Sequence, residues 1–287
     1  MNKHDLPLFA IMSLALTACE RPSAPAEEPP APTPFVFGEV HVLKSTHLGQ
    51  ERTLNIHLPE GYPDTTAHYP VIYVLDGTAN EDFPHIAGLV QYMNMYDLLP
   101  LSIVVGVANE GRSRYHDFTA PTTNDSDKVW VPTGGGSAAF IAFLEKEVEP
   151  FVDSSYRTTP HRTIIGQSLG GLLGTEILVD HPDLFDDYVL VSPSLWWDNG
   201  SLATRAATWV KDHPTSPKRV YIAGAPDDEM MQAEIDQVVA AFRENGKAPF
   251  TWWYVPFPEE SHQTILHRAA YNAFELLGKP DTSRVDR

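Results

Sequence analysis

The chain has 287 residues, of which 43% are hydrophobic and 10% aromatic, which is enough apolar material for one large α/β domain or two small ones. With 38 acidic and 20 basic residues its net charge is −18, so we expect no electrostatic attraction to nucleic acid or to an anionic membrane surface. A single cysteine excludes a disulfide within the chain, and the fold must be stabilised by its core.

The first 18 residues are typical of a bacterial lipoprotein signal peptide. Lys3 supplies a small positive region, and residues 6–18 are apolar but too few to span a bilayer. The run ends in Leu16-Thr17-Ala18-Cys19, which resembles a lipobox, where the cysteine is acylated and becomes the mature N-terminus. An ordinary secretory signal with an unmodified cysteine is the alternative. We expect a lipid anchor on Cys19 and a location in the bacterial cell envelope, facing the periplasm or the exterior.

The rest of the chain is predicted to contain a tether, one domain and a short tail. Residues 19–34 are rich in Pro, Ala and Glu and have no apolar periodicity, which predicts a disordered tether. We expect a folded domain over residues 35–280 and a polar tail over residues 281–287. No internal repeat or second domain is indicated.

Within the domain, predicted strands alternate with predicted helices. Residues 52–58 are apolar at every second position, which predicts a half-buried strand with His57 on its exposed face. The apolar run 71–75 is typical of a parallel strand covered on both faces. Further strands are predicted at 35–42, 101–107, 163–165, 188–191, 219–223 and 250–255, and helices at 82–99, 138–151, 172–179, 201–211, 231–245 and 263–277. This alternation predicts an α/β fold, with a mostly parallel central sheet and helices on both faces.

A G-x-S-x-G motif lies between a predicted strand and a predicted helix. The strand residues Thr163-Ile164-Ile165 lead directly into Gly166-Gln167-Ser168-Leu169-Gly170. Strand, tight turn and helix form the context of a nucleophile elbow, in which small neighbouring residues permit the sharp turn. The alternative is a chance glycine–serine turn. The motif in this context predicts an α/β-hydrolase fold with Ser168 as the nucleophile.

A serine nucleophile needs a base and an acid, which follow it in this fold in the order serine, acid, histidine. His262 comes after the last predicted strand and is the candidate base. His267 lies inside the final predicted helix, and His213 precedes a strand at the opposite end of the sheet. Three carboxylates in the loop after strand 219–223 qualify equally by position as the acid: Asp227, Asp228 and Glu229.

Backbone N–H groups are expected to stabilise the oxyanion of the reaction. One belongs to Leu169, after the nucleophile, and the other to Thr78, after the strand 71–75. Asp76 and Gly77 immediately precede Thr78 and are expected to line the substrate site.

Two further pairs of side chains follow predicted strands on the same side of the sheet. Arg112 and Arg114 are expected to hold an anionic substrate group, the alternative being solvated loop arginines. Of Trp196 and Trp197, one is expected to line the pocket and the other to pack into the core. The 12 histidines form no H-E-x-x-H motif or close His/Cys cluster, so we expect no metal and no other cofactor.

Four stretches together resemble the esterase family of α/β-hydrolases that contains esterase D, the enterochelin esterases, the feruloyl esterases and the antigen 85 acyltransferases. They are YPVIYVLDG (69–77), EPFVDSSYR (149–157), RTIIGQSLGG (162–171) and SPSLWW (192–197), and the resemblance covers most of residues 40–275. It implies a Ser/His/acid hydrolase with an oxyanion amide after the Asp-Gly pair, as at Thr78. Because the family's acid is often glutamate, the resemblance favours Glu229. The SPSLWW stretch is most similar to the enterochelin-esterase-like branch, and Gln167 departs from the family, many of whose members have histidine there.

The residues and the resemblance together predict a serine esterase that acts through an acyl-enzyme on a small-molecule ester, such as a siderophore-type lactone. A carbohydrate or feruloyl esterase, or an acyltransferase, would use the same residues. The non-enzyme alternative is a lipid-tethered binding module on a hydrolase scaffold. The presence of Ser168, His262 and an acidic loop argues against that alternative.

Overall fold

The structure, a computed structural model, describes residues 31–109, 111–225 and 229–279, the last range without the side chains of its first two residues. The predicted signal peptide with Cys19, most of the predicted tether, the predicted tail, and Asp227 and Asp228 lie outside the described residues. Contacts divide the chain into two units, Met1–Val36 and Phe37–Arg287. Residues 31–36 of the first unit contain no helix or strand, and all elements below belong to the second.

The described part of the chain contains one eight-stranded sheet. Its strands are β1 (Glu39–Ser45), β2 (Gln50–His57), β3 (Tyr69–Val74), β4 (Ile103–Val107), β5 (Thr158–Gln167), β6 (Asp187–Val191), β7 (Arg219–Gly224) and β8 (Thr251–Pro256). Their order across the sheet is β1-β2-β4-β3-β5-β6-β7-β8. The pairs β1–β2 and β2–β4 are antiparallel, and every later pair is parallel.

Helices connect the parallel strands and cover both faces of the sheet. They are α1 (Asp82–Met95), α2 (Ser113–Asp117), α3 (Asp125–Trp130), α4 (Ser137–Phe143), α5 (Glu149–Ser155), α6 (Leu169–Asp180), α7 (Trp197–Asp212), α8 (Glu229–Asn245) and α9 (Ile265–Leu277). A π-helical turn, Leu144–Val148, joins α4 to α5, and a short 3₁₀ turn, Tyr62–Asp64, precedes β3. In the described residues no helix is long and apolar enough to cross a membrane.

Alternate residues of the central strands point into two apolar layers. In β3, Ile72 and Val74 pack with α1 and α9 on one face of the sheet. Val71 and Tyr73 pack on the other face, in the layer to which α4, α6, α7 and α8 contribute. Burial on both faces explains why β3, β4, β6 and β7 are nearly continuous apolar runs. The predicted α/β fold with a mostly parallel sheet and helices on both faces is confirmed.

The environment of His57 differs from the sequence prediction. The alternating pattern of β2 placed this side chain on an exposed face, whereas it is 7% exposed in the structure. Its Nδ1 donates to the carbonyl of Phe37 at 2.7 Å, and the two rings lie 4.6 Å apart. The residues just before β1 therefore cover a face of β2 that periodicity alone predicts to be solvated.

Two helices, α2 and α3, lie in a stretch for which the sequence predicts no element. Helix α2 is held by a buried ion pair in which Arg52 Nη2 donates to Asp117 Oδ2 at 2.6 Å. Helix α3 begins after Asn124, whose side chain accepts from the N–H of Ser126 at 2.8 Å. Both helices are too short to show a periodic apolar pattern, and contacts with the rest of the domain stabilise them.

Candidate active site

Ser168 occupies a strained turn between β5 and α6. Its φ of 60° and ψ of −120° lie outside the regions that non-glycine residues favour. The turn also needs a small residue before it, because a Cβ at Gly166 would lie 2.5 Å from the backbone carbon of Gly170. The Ser168 N–H donates to the carbonyl of Val191 at 3.0 Å, which fixes the turn to β6. This geometry matches the nucleophile elbow that the sequence motif predicts.

The structure brings His262 against Ser168. The distance between Ser168 Oγ and His262 Nε2 is 3.1 Å, within hydrogen-bond range for proton transfer. Of the other two histidines considered, His267 Nδ1 lies 2.7 Å from His85 Nε2, and His213 stacks on Trp209. Among these three histidines, His262 is the one that the structure places within hydrogen-bond distance of Ser168.

Gln167 connects the elbow to the histidine loop. Its side-chain amide donates to the backbone carbonyl of His262. In the family resemblance, Gln167 is notable only because many members have histidine at this position. In the structure this residue connects the loop of His262 to the turn of Ser168.

Two serines after β6 lie next to the Ser168–His262 pair. Ser194 Oγ is 3.2 Å from Ser168 Oγ, and the Ser194 N–H donates to the carbonyl of Ser168 at 3.0 Å. Ser192 Oγ is 2.9 Å from Nδ1 of His262. No sequence pattern predicts a role for either serine, although both belong to the SPSLWW stretch that carries part of the family resemblance.

The loop after β3 carries the predicted oxyanion residue Thr78. Gly77 approaches β4 so closely that a Cβ would lie 2.4 Å from Gly106 Cα, and its N–H donates to the carbonyl of Val107 at 3.0 Å. Asn55 also donates its side-chain amide to the Gly77 carbonyl at 2.8 Å. These contacts fix the backbone immediately before Thr78. The second predicted donor, Leu169, is the first residue of α6.

Arg114 and Asp76, both expected at the substrate site, bind each other in the structure. Arg114 Nε donates to Asp76 Oδ1 at 2.7 Å and Nη2 donates to Oδ2 at 2.8 Å. Asn109 donates its side-chain amide to the same carboxylate. Arg114 Nη2 also lies 3.4 Å from the carbonyl of Gln167. The guanidinium and the carboxylate neutralise each other, and these hydrogen bonds connect the loop before Thr78 to the elbow.

A second carboxyl, that of Asp82, lies behind the Thr78 loop at the start of α1. Its backbone N–H donates to the Asp76 carbonyl at 3.2 Å. Burial, together with the negative charges of Asp76 and Glu81, raises the pKa of Asp82 to about 7. The first residue of α1, next to Asp76, therefore carries a carboxyl whose charge changes near neutral pH.

A cavity of about 960 Å³ opens onto Ser168 and His262. Its wall includes the exposed Arg112 and the half-buried Trp196. Trp197, by contrast, is buried and donates its Nε1–H to the carbonyl of Ala120 at 2.8 Å, so it packs into the core. The remaining lining residues are Tyr115, Asn124, Ser126, Asp127, Trp130, Val131, Pro132, Thr133, Ser194 and Met231. Most of them come from the stretch of α2 and α3, which carried no sequence signal.

The predicted acid falls in a part of the chain that the structure describes incompletely. Glu229 is the first residue of α8, and its side chain is outside the description, as are Asp227 and Asp228 altogether. Two residues further along α8, Met231 Sδ lies 3.2 Å from Ser192 Oγ. Across the described residues, no group of three or more His, Cys, Asp or Glu is arranged to hold a metal ion.

Comparisons with known proteins agree with this architecture. Residues 45–262 match the family described as Putative esterase. The ferri-bacillibactin esterase BesA of Bacillus subtilis is 32% identical over 270 residues, which cover 85% of this chain and 90% of the relative. The siderophore triacetylfusarinine C esterase of Aspergillus fumigatus is 27% identical over 212 residues, which cover 68% and 70%. The crystal structure of an IroE-like serine hydrolase from Shewanella oneidensis is similar with a TM-score of 0.77 at 28% identity, covering 84% of this chain and 79% of that one.

Proposed function

Because the chain belongs to this esterase family, we propose that it is a serine esterase that cleaves a carboxylic ester through Ser168 and His262. The observation that carries the proposal is the 3.1 Å separation of Ser168 Oγ and His262 Nε2 at a strained strand-to-helix turn. Non-glycine residues in such strained conformations cluster at active sites. A binding module on the same scaffold would need neither the strained serine nor a histidine aimed at it.

In the proposed mechanism, Ser168 Oγ attacks the ester carbonyl carbon while His262 Nε2 accepts the hydroxyl proton. The N–H groups of Leu169 and Thr78 stabilise the negative oxygen of the tetrahedral intermediate. The intermediate collapses to an acyl-enzyme, and the imidazolium returns the proton to the departing alcohol. Water then attacks the acyl-enzyme with His262 again as base, and the acid product leaves with Ser168 restored.

We propose Glu229 as the acid that stabilises the imidazolium, with Asp227 and Asp228 as alternatives. The contacts of Met231 support a position at the start of α8, because Met231 Sδ is 3.2 Å from Ser192 Oγ and Ser192 Oγ is 2.9 Å from His262 Nδ1. The N-terminus of α8 therefore lies close to the ring nitrogen that an acid must reach.

The substrate we propose is a siderophore-type ester with aromatic, anionic groups. The cavity is large, and its wall carries the rings of Tyr115, Trp130 and Trp196 together with the cation of Arg112. Trp130 is 83% exposed, which leaves its ring face available for stacking on a planar group. One relative is named as a siderophore esterase and another as a ferri-bacillibactin esterase, which supports this substrate class. A carbohydrate or feruloyl ester, or acyl transfer to another alcohol, is the second candidate because it uses the same chemistry.

We further propose that the mature protein begins at an acylated Cys19 and is held in the cell envelope of a bacterium. The sequence Leu16-Thr17-Ala18-Cys19 supports this, as does the absence of another cysteine in the chain. Two acyl chains give stable anchoring, whereas one gives only reversible binding.

The decisive experiment compares wild type with Ser168→Ala on a panel of neutral aryl esters, feruloylated sugars and siderophore lactones. We expect the wild type to prefer the siderophore lactones and the variant to lose activity on every ester, with an unchanged thermal unfolding temperature. A fluorophosphonate probe should label the wild type at Ser168 and leave the variant unlabelled. A labelled or active Ser168→Ala variant would show that another residue is the nucleophile.

A further inference from the structure

Ser192, the first residue after β6, is held in a strained backbone conformation beside the base. Its φ is 42°, in the left-handed region that serine rarely adopts, and it is 2% exposed. Its N–H donates to the carbonyl of Ala223 at 2.8 Å, which fixes the residue between the ends of β6 and β7. The conformation is held by its neighbours, as is common where strain serves a site.

The Ser192 hydroxyl lies between two partners of different chemistry. Ser192 Oγ is 2.9 Å from His262 Nδ1 and 3.2 Å from Met231 Sδ. A thioether sulfur has no proton and acts only as an acceptor, whereas Nδ1 of a neutral histidine either donates or accepts. The hydroxyl has one proton. When that proton points to Met231 Sδ, the oxygen presents a lone pair to Nδ1, which must then carry the hydrogen.

We propose that Ser192 is a positioning residue that holds His262 in the tautomer with the proton on Nδ1. In that tautomer the Nε2 lone pair faces Ser168 Oγ, 3.1 Å away, and accepts its proton. The opposite tautomer would present an N–H to Ser168, and His262 would not act as a base. This proposal rests on the proposed function, since it concerns the base of the same reaction.

A carboxylate from residues 227–229 is compatible with this role. One N–H is commonly shared between two acceptors, so Nδ1–H has room for a hydroxyl and a carboxylate oxygen. The carboxylate stabilises the positive charge of the imidazolium after proton transfer. The buried Ser192 hydroxyl instead fixes which ring nitrogen carries the proton before the transfer. Removal of Ser192 should therefore weaken catalysis less than removal of the acid.

Ser192→Ala and Ser192→Gly together test the hydroxyl apart from the backbone. Both remove the acceptor, but glycine adopts a φ of 42° without strain, whereas alanine keeps the strain of the wild type. We expect kcat to fall about 10- to 100-fold in both variants, with KM within about twofold, because a hydrogen bond to a group that becomes charged is lost. The acid limb of the kcat/KM profile should move to lower pH in both, since the imidazolium loses a charge-assisted bond. Ser102→Ala, which removes another buried serine hydroxyl before β4, is the matched control and should leave kcat and the profile unchanged.

The tautomer itself is measured by ¹⁵N NMR of histidine-labelled protein at a pH where His262 is neutral. A His262→Gln variant identifies the His262 signals. We expect a protonated Nδ1 in the wild type and a mixture of tautomers in both Ser192 variants. Met231→Leu keeps a similar volume but removes the sulfur acceptor, which frees the Ser192 proton to turn to Nδ1. This variant should also show a mixture, with kcat reduced about 3- to 10-fold.

Several results would overturn the proposal. Wild-type kcat and tautomer in both Ser192 variants would remove any positioning role, and a loss in the glycine but not the alanine variant would assign the effect to the strained backbone rather than to the hydroxyl. An unchanged tautomer in Met231→Leu would refute the direction that we give to the Ser192 proton. The NMR measurement needs no turnover, so these failures remain distinct from failure of the proposed function, which would appear as an active Ser168→Ala variant.

Discussion

Replacing Arg114 by glutamine tests whether the Asp76–Arg114 pair supports the reaction by holding the Thr78 loop. The pair is half-buried, with side-chain exposures of 26% for Arg114 and 10% for Asp76, and it has two hydrogen bonds of 2.7 and 2.8 Å. Exposed ion pairs contribute about 0–1 kcal/mol, whereas breaking a buried pair costs about 3–5 kcal/mol. For this intermediate case we expect a loss of about 2 kcal/mol, which lowers Tm by roughly 4–8 °C in a domain of this size.

The same substitution should reduce turnover even when the substrate has no charge. Loss of one oxyanion donor typically lowers kcat by about 10²- to 10³-fold. Arg114→Gln leaves the Thr78 N–H in the chain but releases the carboxylate of Asp76 that fixes its loop, so we expect a smaller fall of about 10- to 100-fold. The assay is hydrolysis of a neutral aryl ester beside an anionic one, with Tm measured on the same samples.

Arg112→Gln is the matched control, because Arg112 is exposed at the cavity wall. We expect it to keep Tm and turnover of the neutral ester and to raise KM for the anionic ester alone. The reasoning would be refuted if Arg114→Gln gave this second pattern, with wild-type Tm and neutral-ester turnover. Arg114 would then be the cation that binds substrate, as the sequence first indicates.

Three further predictions concern groups elsewhere in the chain. Glu229→Gln should lower kcat by up to about 10⁴-fold with a near-normal KM, while Asp227→Asn and Asp228→Asn should not; a collapse in either aspartate variant would move the acid to that residue. Because burial and neighbouring carboxylates raise the pKa of Asp82 to about 7 from its usual value near 4, folding stability should fall as pH rises through this range. Asp82→Asn should show a smaller drop in Tm between pH 5 and pH 8 than the wild type, and an equal drop would contradict the shift. Cys19→Ser should abolish acylation and release the protein from membranes, as mass spectrometry of the mature N-terminus and cell fractionation would show.

Sequence patterns predict the parts of the fold whose stability comes from burial along a regular element. The parallel strands β3, β4, β6 and β7 are predictable because burial on both faces requires an apolar residue at nearly every position. Helix α7 shows the limit of periodicity: it is predicted from residue 201, whereas the structure begins it at Trp197. The three residues Asp198, Asn199 and Gly200 have positive φ values of 51°, 56° and 70°. The regular part of the helix therefore begins at Ser201, which is also the first residue of the predicted helix. Helices α2 and α3 are unpredictable by periodicity because distant residues such as Arg52 stabilise them.

Some residues of the candidate site can be predicted from the sequence and others cannot. Ser168 and His262 are predictable, since a nucleophile elbow and a histidine after the last strand depend on chain order alone. Arg114 is not, because its charge could bind a ligand or an internal carboxylate, and only the position of Asp76 decides between them. The residues of the cavity wall are equally difficult to predict from the sequence, because Trp130 and Tyr115 belong to short helices that show no periodic apolar pattern. Chain order thus predicts the two groups that we propose as reacting, while three-dimensional contacts determine which side chains surround them.

Those contacts connect the loops of the site through a few polar side chains. Arg114 binds Asp76 in the loop before Thr78 and also reaches the carbonyl of Gln167 in the elbow. The Gln167 side chain in turn donates to the carbonyl of His262. One connected set of hydrogen bonds thereby spans the oxyanion loop, the nucleophile turn and the base. Because catalysis by such a site depends on groups held in place before the substrate arrives, a change at any link should lower turnover even though none of these linking side chains reacts.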